Sequence, residues 1–192
     1  ELDYHLEARN QRHFATAFRG DEDVLVPEVL VDSTHVIVTE WVDGTPLAKV
    51  IAEGTPEQRD EAATLYLEFL LRAPNRAHLL HADPHPGNFR LTDDGRLAVF
   101  DFGAVNRLPH GLPASLGRVL TEALAGDGVA LEAVLREEGF IRRGIAIDPE
   151  ALLEYLTPLV EPLLHEQFTP TREWLRGAAA TLQDPRRPQF LI

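Results

Sequence analysis

A chain of 192 residues, 44% of them hydrophobic, is long enough to bury a core of its own and too apolar to be disordered throughout. Its net charge of −13 argues against nucleic acid as a partner and against an unaided electrostatic grip on anionic lipid, both of which need clustered Lys and Arg. Cysteine is absent, which removes disulfides and thiolate metal sites, and there is no apolar run of transmembrane length and no signal-peptide pattern.

In chain order, residues 3–19 read as a helix, with Leu2, Leu6, Phe14 and Phe18 at helical spacing and Gly20 as its stop. Two short strands follow, around 24–31 and 35–40, and Trp41 reads as a packing residue. Residues 56–73 form a second helix, capped by Thr55, with Pro56 in the first turn and Leu65, Phe69 and Leu70 as its apolar stripe. A hairpin is expected from Phe89-Arg90-Leu91, the turn residues Asp93-Asp94-Gly95 and Leu97 to Phe100. Pro109 to Pro113 breaks the chain. Beyond it, helices are predicted over 114–125, 129–138, 149–167 and 171–182. In the third of these, Leu152, Leu153, Leu156, Leu159, Val160, Leu163 and Leu164 form a broad apolar face, expected to be core or helix packing. The end, Asp184-Pro185-Arg186-Arg187-Pro188, reads as a linker. No internal repeat or low-complexity tract is present. The fold class predicted is α+β and mainly helical.

The chemistry is concentrated between the second helix and the hairpin. His81-Ala82-Asp83-Pro84-His85-Pro86-Gly87-Asn88 precedes Asp101-Phe102-Gly103. A kinase catalytic loop has a His, an Asp two residues on and an Asn five residues after that Asp, followed by D-F-G. His81, Asp83 and Asn88 keep that spacing, and the expected hairpin returns Asp101 beside Asn88. Phosphoryl transfer needs an acceptor held in line and metal ions that neutralise phosphate charge. Asp83 can take the acceptor proton or orient the acceptor; Asn88 and Asp101 offer the hard oxygens that magnesium prefers. His85 has three readings: a phosphate contact, a metal ligand or a loop histidine held by hydrogen bonds. The last is favoured, because zinc would need more ligands nearby.

The letters H-A-D-P-H-P-G-N, in place of H-R-D-L, resemble the UbiB/AarF family of atypical kinases. The resemblance extends upstream. Glu1-Leu2-Asp3 and Glu7-Ala8-Arg9-Asn10 are similar to that family's E-x-D motif and the E-A-x-N stretch after it. Val26-Pro27-Glu28-Val29 and Val36 to Gly44 are similar to its strand pair and hinge. The match covers about residues 1–108, and Asn106 stands where many members have Gly. The resemblance implies a protein-kinase-like C-lobe over 46–192, and a C-helix, strands and hinge over 1–45. It implies a nucleotide held by backbone groups of Glu40 and Val42, with Mg2+ and ATP as cofactors. Glu1 and Asp3 would face nucleotide and metal, although acidic residues at a helix start are also simple dipole partners. Glu7 would be the partner of the nucleotide-binding lysine.

That lysine must precede the helix bearing Glu7, and the single lysine of this chain is Lys49, beside seventeen arginines. The chain is therefore expected to be a fragment: a parent active as a kinase or ATPase, a piece that is inactive alone, and residues 1–20 that are mobile or borrow contacts from a neighbour. The parent's location is expected to be cytoplasmic, peripheral or membrane-anchored through segments outside this chain. Its acceptor would be a small molecule or lipid, with a link to isoprenoid quinone metabolism. Two alternatives stay open: a small-molecule kinase of the aminoglycoside or choline type, whose loops have the form H-G-D-x-H-x-x-N, and a non-catalytic scaffold on a kinase fold.

Overall fold

Helix α1 spans Tyr4–Ala17 and buries Ala8, Asn10, Gln11, Phe14 and Ala15, the stripe that helical spacing places on one side. The computed structural model describes residues 4–182, so Glu1, Asp3 and the expected linker after residue 183 lie outside the described residues. The protein is α+β and mainly helical, with small sheets. It divides into two compact units, residues 1–112 and 113–192; the division expected at 45/46 falls inside the first.

In the first unit, the described part of residues 1–20 finds its contacts within the chain rather than borrowing them from a neighbour. Phe14 and Phe18 are buried, with ring centroids 6.0 and 5.6 Å from Phe69, and Phe14 lies 4.9 Å from Phe102. Burying aromatic rings of this size supplies the largest apolar contribution a residue can make. Gln11 donates to the Pro27 carbonyl at 2.7 Å, so the buried amide is satisfied.

The expected strand at 24–31 is two strands. β1 (Val24–Leu25) and β2 (Val29–Asp32) join different sheets. The break falls at Pro27, which has no N–H to give a ladder. β2 pairs antiparallel with β3 (Ile37–Thr39), with an irregularity between Val29 and Val31. Trp41 is not a packing residue. It is 81% exposed, and its indole N–H donates to Asp43 at 2.8 Å. β4 (Thr45–Pro46) and α2 (Leu47–Glu53) follow.

Helix α3, Pro56–Ala77, starts with a full capping box: Gln58 N–H donates to the Thr55 hydroxyl, and the Gln58 side chain accepts from Thr55 N–H. It runs past the expected end at 73. Pro74 lies inside it, buried in the stripe of Leu65, Phe69, Ala73 and Ala77, so packing overrides the lost backbone bond. His78, at φ 52°, ends it in the left-handed conformation. Four short strands then build the site: β5 (Leu79–His81), β6 (Phe89–Leu91), β7 (Leu97–Val99) and β8 (Val105–Arg107). One sheet has the order β1-β7-β6-β4, with β1 parallel to β7; β5 pairs antiparallel with β8.

A charged clamp fastens α3 to the segment leading into β1. Asp21, its side chain 4% exposed, accepts from Arg72 at 2.5 Å and from Arg76, and its other oxygen accepts from the N–H groups of Asp23 and Val24. Burial opposes the charge on Asp21, but these N–H and guanidinium partners outweigh it and hold the carboxyl below its usual range. Arg76 also donates to the Ala17 carbonyl at the end of α1 and stacks over Phe18.

The second unit is helical: α4 (Ala114–Ala125), α5 (Gly128–Glu137), α6 (Pro149–Val160) and α7 (Arg172–Leu182). Asp127 and Asp148 cap α5 and α6, and Gly126, at φ 69°, closes α4. Its core is Ala123, Leu131, Leu135, Ile141, Leu152 and Val160. The helix expected over 149–167 stops at Val160 and gives way to a 3-10 turn, Glu161–Leu164. Pro162 has no N–H with which to continue the helical bonding, although Glu161 before it keeps helical angles. The broad apolar face is correspondingly split: Leu152 and Val160 are buried, whereas Leu159, Leu163 and Leu164 are each more than half exposed. No described helix is long and apolar enough to cross a membrane.

Candidate active site

The site is built on the first unit, from the loop between β5 and β6 and the turn after β7. β5 brings His81 into the core, 2% exposed, with ring contacts to Phe69, Phe89 and Phe102. His81 Nε2 lies 3.2 Å from the Phe100 carbonyl, which makes it the donor nitrogen; Nδ1 is buried with no hydrogen-bond partner among the described residues. Ala82 N–H continues the β5–β8 pairing to the Ala104 carbonyl at 2.9 Å. Both sides of the site are therefore anchored before the functional side chains emerge.

Asp83 and Asn88 are brought together. Asn88 Nδ2 lies 3.1 Å from both the Asp83 carbonyl and Asp83 Oδ2. The carbonyl of Asn88 accepts from Phe100 N–H at 2.8 Å, which places Asp101, the next residue, at the same end of the hairpin. The hairpin forms as its turn residues demand: Gly95 sits at φ 84°, and Thr92 is bonded to Asp94 and Arg96. Asp101 takes φ 57°, a conformation that Asp tolerates better than most residues, and its Oδ1 accepts from Gly103 N–H at 3.2 Å. Chains hold such backbone conformations where surrounding bonds over-determine them.

Glu7 reaches this turn from α1. Its carboxylate lies at the Asp101–Gly103 turn, beside Asp101 Oδ1. Burial and the negative charge of Asp101 push its carboxyl above the usual range, and the Phe102 backbone N–H opposes them in part. Two carboxylates thus face one another, and no cation among the described residues pairs with Glu7. Asn10, one turn on, donates to the Phe102 carbonyl at 3.0 Å from a buried position. Asn10 thereby holds the carbonyl of the residue after Asp101. Asn10 was visible in the sequence only as a letter of the E-A-x-N stretch. Tyr66, whose hydroxyl donates to the Pro84 carbonyl at 2.6 Å, gave no signal beyond lying on a helix. Burial and the charge of Asp83 raise the Tyr66 phenol.

His85 is the loop histidine it was expected to be: its Nδ1 accepts from Gly87 N–H at 3.1 Å and starts the 3-10 turn Pro86–Asn88. In the hinge stretch, Glu40 N–H donates to the Glu28 carbonyl at 3.0 Å and the Glu40 carboxylate accepts from Glu28 N–H. Lys49 lies on α2, 61% exposed, 3.9 Å from Glu53, and not in the site.

The donor set suits a hard divalent cation. With the Asn88 side-chain N–H2 group committed to Asp83, the side-chain oxygen Oδ1 of Asn88 and the Asp101 carboxylate are oxygen donors from adjacent strand ends. No group of three or more His, Cys, Asp or Glu able to hold a metal occurs among the described residues. A magnesium ion can be held by one or two protein oxygens when substrate phosphates and water complete its octahedron.

The profile of the ABC1 atypical kinase-like domain matches residues 1–135. The protein named ACTIVITY OF BC1 COMPLEX KINASE 3, chloroplastic, of Arabidopsis thaliana is 37% identical over 142 residues, 69% of this chain and 20% of that protein. Atypical kinase coq-8, mitochondrial, of Caenorhabditis elegans is 31% identical over 149 residues, 73% of this chain and 20% of that one. Among solved structures, Rv3197 of Mycobacterium tuberculosis, determined in complex with erythromycin, superposes with a TM-score of 0.90 at 40% identity, covering 100% of this chain and 49% of that one. The chain thus spans about a fifth of the length of these two curated relatives and about half of the solved one.

Proposed function

The chain belongs to the ABC1 atypical kinase-like (UbiB/AarF) family, and from that premise we propose that it carries the catalytic loop and metal-binding turn of an ATP-dependent phosphotransferase or ATPase, organised as a kinase C-lobe over residues 46–192. One observation carries the reading: Asn88 bonds Asp83 with its side chain and Phe100, the neighbour of Asp101, with its carbonyl. A single residue so registers the carboxylate that meets the acceptor against the carboxylate that meets the metal.

In this reading Asp83 orients the acceptor hydroxyl and takes its proton, with Asn88 fixing its rotamer. The side-chain amide oxygen of Asn88, Oδ1, and the Asp101 carboxylate would hold magnesium, which would neutralise the phosphate charge that develops during transfer. His81 and Asn10 act through the backbone, holding the Phe100 and Phe102 carbonyls on either side of Asp101. The Glu40 carbonyl and Val42 backbone receive the adenine. Glu7 takes a lysine of the full-length protein, which would relieve its repulsion with Asp101; Glu1 and Asp3 face the nucleotide. The acceptor is a small molecule or lipid, with isoprenoid quinone metabolism as its setting, and the parent works in the cytoplasm or at a membrane through other segments. The test is ATP turnover by the full-length parent and its Asp101→Asn variant: equal rates would remove Asp101 from the metal site.

A second reading has one observation in its favour. A chain 40% identical over the whole of this one was solved with erythromycin, so macrolide binding is the reading to test by calorimetry with erythromycin in place of nucleotide.

A further inference from the structure

A concavity beside the catalytic loop is not used by the chemistry above. It is a pocket of about 220 Å³ between α2, α3 and the loop, walled by Val50, Ala62, Ala63, Tyr66, Pro84 and Pro86. We propose that this pocket receives a compact, uncharged apolar group, a single ring or a short branched chain, as the apolar end of the phosphoryl acceptor. The inference rests on the phosphotransfer reading and adds the acceptor's chemistry to it.

Three observations converge. The first is size: 220 Å³ is on the order of seven water-sized volumes of about 30 Å³, below the range of about 300–1,000 Å³ that takes a drug-sized ligand. A ring fits; a macrocycle or a folded long chain does not. The second is charge. Arg59 is the charged residue at the wall, and its guanidinium is turned back to donate to the Gly54 carbonyl at 2.6 Å. No carboxylate lines the pocket, so a cation would be buried without a counter-ion, at a cost a neutral group avoids. The third is connection. Pro84 is peptide-bonded to Asp83, so their Cα atoms are about 3.8 Å apart. Tyr66 closes the link, forming pocket wall with its ring and donating its hydroxyl to the Pro84 carbonyl at 2.6 Å. A group seated against Pro84 and Tyr66 touches the loop next to the carboxylate that would receive the acceptor hydroxyl. The raised phenol of Tyr66, driven by burial and then by the charge of Asp83, agrees with that proximity.

The probes are benzyl alcohol and cyclohexylmethanol, titrated into the 192-residue chain without nucleotide, with benzylamine and benzoate as charged comparators. The readouts are methyl and amide NMR shifts. Ligands this small bind with Kd on the order of 1–10 mM. The expected result is saturable shifts at the Val50, Ala62 and Ala63 methyls and at the Asp83 amide, at least about tenfold weaker for both comparators, on the scale of 1.4 kcal/mol per decade. Ala63→Leu, an exposed helix position that favours Leu, and Ile51→Asp, at a rim position 53% exposed, should each abolish saturation while the remaining spectrum stays dispersed. Tyr66→Phe should keep the methyl shifts and lose the Asp83 shift. Linear, unsaturable shifts, or saturation unchanged by both filling variants, would overturn the pocket. Saturation at the methyls with a silent Asp83 amide would overturn its role as an acceptor subsite. None of these readouts uses nucleotide, so equal ATP turnover by the parent and its Asp101→Asn variant would count against the metal-site reading separately.

Discussion

The two units differ in what holds them together. In the first, groups far apart in sequence meet: Asn10 bonds Phe102, Gln11 bonds Pro27, Arg76 bonds Asp21 and Ala17, and β1 lies parallel to β7. In the second, each helix is ended by its own neighbours, as when Asp127 caps α5 and Asp148 caps α6. Its core is small and aliphatic, whereas the first unit's contains Phe14, Phe18, Phe69, Phe89 and Phe102. Long-range polar bonds to backbone fix positions as well as stabilise, and the candidate chemistry sits where those bonds are.

The comparison can be broken first at Asp21. Removing one partner of a buried, hydrogen-bonded ion pair strands the others, so Asp21→Ala should cost about 3 kcal/mol, discounted for the partial exposure of both arginines. Chemical denaturation followed by far-ultraviolet circular dichroism measures it. The pH dependence has a definite sign. The folded carboxyl is depressed by its N–H and arginine partners against the opposing effect of burial, so its contribution is full above about pH 4 and fades as pH falls through the lower folded value. Asp21→Asn should flatten that acid limb, and an unchanged limb would assign it to other carboxylates.

Leu152→Ala is the counterpart in the second unit. Leu152 is fully buried, and the truncation should cost about 2–4 kcal/mol. Read through Trp174, in a variant lacking Trp41, the midpoint should drop; a loss below about 0.5 kcal/mol would mean that this core is loosely packed.

At the candidate site, Asp101→Asn in the full-length parent should lower turnover at least about 10²-fold, the scale of losing one electrostatic stabiliser. Asp83→Asn should reduce turnover more than nucleotide affinity, and normal turnover in that variant would make Asp83 structural. For the 192-residue chain, calorimetry should find MgATP binding weaker than micromolar, because its single lysine, Lys49, lies on α2 away from Glu7.

The smallest effect sharpens the contrast most. Glu7→Gln removes the repulsion with Asp101. Because Glu7's folded carboxyl is raised, by burial and then by Asp101, the charge is a liability above that value and vanishes below it. The variant should therefore stabilise the chain by roughly 0.5 kcal/mol at neutral pH, discounted for partial exposure, and by nothing in acid. A loss of stability at neutral pH would show that the charged form is favoured.

Legibility in sequence followed the same division. The helix 114–125 was read to the residue because Pro113 and Gly126 punctuate it. α2 escaped because seven residues show too little periodicity. β5 and β8 escaped because three-residue strands with partners 24 to 28 positions away leave no local pattern. Asp83, Asn88 and Asp101 were visible because their spacing is itself the signal. Tyr66, which braces the loop through the Pro84 carbonyl, was not, and Asn10 showed only as a letter of the E-A-x-N stretch, because a polar residue on a helix gives no sign of which distant carbonyl it will meet.

Helix α3 also carries a consequence for how such a sequence tolerates insertion and deletion. Tyr66 serves the catalytic loop, Phe69 and Ala73 the core, Arg72 and Arg76 the Asp21 clamp, and His78 the turn into β5. Each added residue rotates everything after it by about 100° and advances it by about 1.5 Å. One insertion between Tyr66 and Phe69 would leave either the tyrosine or the phenylalanine and both arginines facing the wrong way. Length variation among related chains should therefore collect in the turns, such as 92–96 and 139–148, and be purged from this helix, whose residue count is as constrained as any letter of the motif it supports.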